Sequence, residues 1–218
     1  FHQAGHRTAI PQKGRINALG SWTQEFQSLH KRLQIQVRKG KQGKYRNSID
    51  TLLQKHGQEL LAYSYQAQQL LRSSPYKQAC ARAKKTLPLC HGDGGPTNFI
   101  LSNGKATLID FETLKVDLRA YDLYRLLYNS CKENSWRMST ARSLLDGYQS
   151  VIKLNQIDFK LAKIWLRFPR TTYLMLKAYP IAAKQDKKEI IRDLPKAIAA
   201  ERKITSFLKK LDSYSRNG

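Results

Sequence analysis

The chain has 218 residues, 41% of them hydrophobic, with 39 Lys and Arg against 16 Asp and Glu for a net charge of +23. That is enough for one good-sized domain with its own core. The 3 cysteines are odd in number and form no C-x-x-C pair, which argues against a disulfide framework or structural zinc site and for a reducing, cytoplasmic setting. No signal peptide is recognisable, and the most apolar stretch, residues 164–183, is interrupted by Arg167, Arg170 and Lys177, so no membrane span is expected.

Residues 1–21 carry Gly5, Pro11, Gly14 and Gly20 and read as loop. Trp22, Phe26, Leu29 and Leu33 then recur at helical spacing, and Gly40-Lys41-Gln42-Gly43 ends that helix. A second, longer helical stretch runs from Ser48 to Leu71, with Gly57 as a possible interruption and Ser73-Ser74-Pro75 as its stop. The texture changes at Leu87, where Leu87-Pro88-Leu89-Cys90 reads as an extended approach to a loop. Phe99-Ile100-Leu101 and Ala106-Thr107-Leu108-Ile109 flank Asn103-Gly104, the residue pair favoured in a tight hairpin turn. Helix returns after Asp117, with Asp122 as an N-cap or first-turn acid. Further helices are expected over 139–152, 158–168 (stopped by Pro169) and 187–214, the last kinked or split by Pro195. The expected fold class is mainly α with one small β-hairpin, a single domain over residues 1–218.

The chemistry gathers in residues 89–112. His91-Gly92-Asp93-x-x-x-x-Asn98 precedes the hairpin, and Ile109-Asp110-Phe111-Glu112 follows it. Antiparallel pairing brings the two ends of a hairpin together, so Asn98 and Asp110 are expected to reach one ion. A carboxylate that takes the proton of a hydroxyl, together with an amide and a second carboxylate that hold Mg²⁺ on a nucleotide, is the set a kinase-type phosphotransferase needs. His2, His6, His30 and His56 are scattered and have no partner at metal-ligand spacing. Tyr121, Tyr124 and Tyr128 lie at roughly helical spacing and read as core.

These two loops resemble the active-site signature of the aminoglycoside phosphotransferase and choline-kinase-like superfamily, whose members have a protein-kinase-like fold. The acid at Glu112 resembles the small-molecule kinases more than the Asp-Phe-Gly of protein kinases. Phe1-His2-Gln3-Ala4, the helix opening at Trp22 and the stretch from Val116 to Leu123 are similar to the spore-coat protein S branch. The resemblance implies that Asp93 is the catalytic base, that Asn98 and Asp110 ligate Mg²⁺ and so bind the ATP cofactor, and that His91 packs beneath the catalytic loop. It also implies that Asp122 anchors that loop through backbone N–H groups, and that Glu112 either reaches a metal through water or is a solvated loop acid.

Nothing before His91 resembles the β-rich lobe that covers ATP in such folds, and Gly40-Lys41-Gln42-Gly43 lacks flanking strands. The chain therefore reads as the C-terminal lobe with the N-terminal lobe absent, a truncated form that is weakly active or inactive alone. The partners implied are a nucleotide and an unknown hydroxyl or anionic acceptor. The competing reading is a non-catalytic structural or interaction protein of the spore coat in an endospore-forming bacterium. A nucleic-acid-binding module has only the charge in its favour, with no helix-turn-helix, zinc or RNA-binding signature. The charge itself is open between a polyanionic partner and a solvated basic surface.

Overall fold

Trp22, Phe26, Leu33 and Val37 form one buried stripe of helix α1 (Trp22–Lys41) in the computed structural model, which describes residue 2 and residues 16–217. The loop expected over residues 1–21 falls mostly outside the described residues, as does His6. Helix α2 (Ser48–Arg72) begins where the Asn47 side chain accepts from Ile49 N at 2.9 Å, an N-cap that satisfies one orphan donor. Gly57 does not interrupt it. A Cβ at Gly57 would lie 2.6 Å from Val37 Cγ1, and one at Gly40 would lie 2.6 Å from Leu53 Cβ. The two glycines let α1 and α2 approach closely, so the residue that reads as a helix breaker is here a packing residue.

A short helix, α3 (Tyr76–Ala83), follows Pro75. Tyr76 stacks on Trp22 with ring centroids 4.7 Å apart. Three two-residue strands then meet: β1 (Ile16–Asn17) pairs in parallel with β5 (Lys115–Val116), and β5 pairs antiparallel with β2 (Leu89–Cys90). This small sheet goes beyond the sequence expectation, because two residues are too few for a periodic signal. The expected hairpin is present as β3 (Phe99–Ser102) and β4 (Lys105–Leu108), with Phe99 opposite Leu108 and Ser102 opposite Lys105.

The remaining helices are α4 (Arg119–Cys131), α5 (Met138–Val151), α6 (Gln156–Arg167), α7 (Arg170–Ala178) and α8 (Lys184–Asn217). Helix α6 starts at a capping box: Asn155 accepts from Asp158 N at 3.0 Å, and Asp158 accepts from Asn155 N at 2.8 Å. Asp158 is therefore inside the first turn and not its start. Pro195 does not split α8, which is one helix from Lys184 to Asn217. Leu194, Ala197 and Ile198 are buried on either side of the proline, and their packing holds the helix through the lost N–H. No described helix is long and apolar enough to cross a membrane.

Trp165 of α6 is the centre of the core, 4.5 Å from the Phe26 ring and 5.5 Å from both Trp22 and Tyr124. Tyr124 and Tyr128 are buried there, as core residues at that spacing should be. Asp117 ties this aromatic cluster to the small sheet. Its buried carboxylate accepts from Trp22 Nε1 at 3.1 Å and Leu118 N at 2.8 Å and pairs with Lys115 at 3.1 Å. Burial pushes its carboxyl up, against the pull of Lys115 and these donors.

Glu201 of α8 is 2% exposed, and burial pushes its carboxyl to about 7, while Thr172 of α7 and Arg167 of α6 pull the other way. Tyr128 of α4 is the acidic group that feels it from the remaining side. A folded-state value above the ordinary 4.5 means that this group's stability is fully present below pH 4.5 and is lost as pH rises toward 7. Glu201→Gln is expected to flatten the pH dependence of unfolding free energy in that window, by on the order of 3 kcal/mol. Urea titrations at several pH values check this, and a pH profile identical to that of the unsubstituted chain would contradict it.

Candidate active site

The loop after β2 turns sharply at Gly92, whose φ is +85° and whose hypothetical Cβ would lie 2.4 Å from the Thr113 carbonyl oxygen. Only glycine fits there. Asp122, in the first turn of α4, fastens the loop: Oδ2 accepts from His91 N at 2.7 Å and Oδ1 from Gly92 N at 2.8 Å. The His2 Nε2 donates to Oδ2 as well, at 2.9 Å. Asp122 thus spends its carboxylate on the loop and not on capping its own helix.

His91 joins the two loops. Its Nε2 donates to the Ile109 carbonyl at 2.9 Å, its Nδ1 accepts from Asp93 N at 3.3 Å, and its ring meets Phe111 edge-on at 5.1 Å. Thr113 adds a bond from its hydroxyl to the His91 carbonyl at 2.7 Å. Asn98 is 8% exposed, and its Nδ2 donates to the Asp93 carbonyl at 2.7 Å. That bond leaves Oδ1 as the amide's acceptor. At the hairpin mouth Ile109 N donates to the Asn98 carbonyl at 3.0 Å, so Asp110 stands one residue beyond Asn98's partner. Asp110 is exposed and holds a left-handed backbone, φ 62° and ψ 71°, a strained conformation for a residue other than glycine that concentrates at ligand-holding sites. Glu112 is exposed in the turn Phe111–Thr113.

Two residues not singled out by sequence take hold of Asp93. The Arg125 guanidinium and the Asn129 amide both reach Asp93 Oδ1, the latter at 3.0 Å. Partial burial raises the Asp93 carboxyl, but Arg125 and then Asn129 outweigh it and hold it below the ordinary carboxylate value. Part of the signal was available: Asp122-x-x-Arg125-x-x-x-Asn129 is one face of a helix. Asp122 reads as the anchor of the loop, but nothing in the sequence shows that the loop also crosses Arg125 and Asn129.

The donor atoms of His2, Cys90 and Asp122 lie within 4.8 Å of one another. Their bonds are otherwise employed, since the Cys90 thiol donates to the Asp117 and Leu118 carbonyls at 3.3 Å and burial pushes it well above its ordinary value. In the tautomer that gives the Nε2 proton to Asp122, His2 Nδ1 accepts from the Tyr148 hydroxyl at 2.5 Å. The cluster is loop support.

A model of the phosphotransferase enzyme family matches residues 8–154, a span that encloses both loops. The chain belongs to the phosphotransferase enzyme family. Among solved structures, an aminoglycoside phosphotransferase from Alicyclobacillus acidocaldarius subsp. acidocaldarius DSM 446 aligns with a TM-score of 0.84 at 20% identity. The alignment covers 100% of this phosphotransferase-family chain and 64% of that one. At that identity the likeness speaks for the fold, which is kinase-like and mostly helical. No curated protein matches the sequence.

Proposed function

We propose that this chain carries the acceptor and metal loops of an ATP-dependent phosphotransferase that acts on a hydroxyl group. The observation that supports this best is the bonded path from Asp93 through Asn98 to Ile109, with Asp110 held in a left-handed turn at its end. It ties the backbone of the two loops together at the hairpin mouth, which supports the reading that their oxygen-bearing side chains serve one site. Asn98 Oδ1 and the Asp110 carboxylate are hard oxygen donors, which suit Mg²⁺ and suit zinc or copper poorly. When bound, the cation would neutralise charge on the nucleotide phosphates.

The work left to the protein is positioning, because phosphoryl transfer passes through a loose transition state that needs little proton abstraction. A carboxylate held ionised by Arg125 is a weak base and a good acceptor. Asp93 Oδ2 takes a hydrogen bond from the acceptor hydroxyl, orients it, and receives its proton as the new P–O bond forms and the bond from the transferred phosphoryl group to ADP breaks, ADP leaving with the electron pair. Arg125 and Asn129 fix Oδ1 and so aim Oδ2. His91 carries no proton in this scheme and keeps the two loops in register. The test is ATP turnover, read as ADP release, in the natural full-length protein and its Asp93→Asn variant.

A second reading has the spore-coat protein S branch in mind: a non-catalytic interaction protein of the spore coat that keeps the fold. One observation favours it: the hairpin presents Ile100 and Leu101 at 52% and 80% exposure, an apolar tip suited to a protein contact. Full turnover in the natural protein would set this reading aside.

A further inference from the structure

A cleft of about 630 Å³ opens between α4, α7 and α8. Its α4 wall includes Arg125 and Asn129, the two residues that grip Asp93, so the cleft lies directly beside the proposed acceptor-orienting group. Its other walls are rich in cations: Lys132, Arg170, Lys196 and Lys203. Among the described residues, Arg170 and Lys203 have no carboxylate within ion-pair distance. Lys132 pairs with Glu133 at 3.9 Å and Lys196 with Asp193 at 3.3 Å, all four side chains more than a third exposed or close to it. Such surface pairs are weak and readily exchanged for a better partner.

The third acid, Glu201, opposes this charge only in part, because burial raises its carboxyl to about 7. Its Oε2 is buried in the wall behind the cleft without a side-chain hydrogen-bond partner. Beside it the hydroxyls of Tyr128 and Thr171 bond each other at 2.5 Å, and each keeps further hydrogen-bonding capacity. The cleft is therefore positive, roomy enough for a sugar-sized molecule and supplied with neutral polar groups.

We infer that this cleft binds a hydroxylated anion, a sugar or polyol phosphate whose phosphate meets Arg170, Lys196 and Lys203 and whose free hydroxyl faces Asp93. A planar guanidinium receives two phosphate oxygens at once. A polycationic acceptor is disfavoured by the same field. The inference rests on the phosphoryl-transfer reading for the word acceptor, but the anion site stands on its own geometry.

Calorimetry of the whole chain at low salt, without nucleotide, tests it with glucose 6-phosphate, glucose and kanamycin. Glucose 6-phosphate is expected to bind saturably, and glucose and kanamycin at least tenfold more weakly. Arg170→Gln is expected to weaken glucose 6-phosphate at least tenfold, as is the exposed pair Lys196→Gln with Lys203→Gln, which does not depend on a half-buried side chain for folding. Removing the same charge elsewhere, with Lys31→Gln and Lys55→Gln, is expected to change affinity less than twofold. Tighter kanamycin binding, equal binding of glucose, or an equal loss in the Lys31 and Lys55 variant would overturn the proposal, the last by showing a diffuse effect of net charge. Because no ATP is present, such a result leaves the phosphoryl-transfer reading untouched. Full turnover in Asp93→Asn would overturn that reading and leave the anion site in place.

Discussion

Asp93→Asn in the natural full-length protein is expected to lower ATP turnover by about 10³-fold, the middle of the range for a positioned general base. The fold should be nearly unchanged. Asparagine keeps an oxygen for both the Arg125 guanidinium and the Asn129 amide to bond, so the mostly buried Arg125, its side chain 11% exposed, loses the opposite charge but not its hydrogen-bond acceptor. What disappears is the anionic oxygen that aims and relieves the acceptor hydroxyl. Circular dichroism and a melting curve establish the fold, and a coupled assay of ADP release gives the rate. Turnover within threefold of the original would remove Asp93 from the chemistry and leave the Asp93–Arg125 pair as a structural ion pair.

Asp122→Ala is expected to be the most destabilising single change at the site, by about 4 kcal/mol, the cost of stranding several buried donors. His91 N and Gly92 N lie in a buried stretch and have Asp122 as their acceptor. Water cannot reach them without opening the loop. Asp122→Asn should not rescue it, because one of the two oxygens becomes a donor that faces another donor. Chemical denaturation measures the loss. Hydrogen exchange at His91 and Gly92 localises it and should show faster exchange there than in the Trp165 core. A loss below 1 kcal/mol would mean that the loop holds itself, through Thr113 and the Gly92 turn.

The hairpin was legible in sequence because the Asn103-Gly104 turn fixes which residues it joins, and the two loops at its mouth stood out because their residue types are rare together. Helices α1 and α2 were legible from apolar spacing. The misreadings share a cause, which is that local propensity was overridden by neighbours distant in sequence. Gly57 serves Val37 of another helix, and Pro195 is carried by packing on both sides. Strand β1 exists because β5 lies beside it. The grip of Arg125 and Asn129 on Asp93 depends on a loop crossing α4, a fact no window of sequence around either residue contains. The basic residues of α7 and α8 illustrate the same limit: Lys196 looks like a solvated face until Arg170 and Lys132 are placed across a cleft from it.

The most direct measurement is electron paramagnetic resonance of Mn²⁺ with ATP, titrated into the natural full-length protein and into its Asn98→Ala and Asp110→Ala variants. Each variant is expected to weaken Mn²⁺–ATP binding by about tenfold or more, in line with the loss of one hard ligand, while Glu112→Ala changes it less than the other two. Binding of equal strength in all of them would contradict a shared cation at the hairpin mouth.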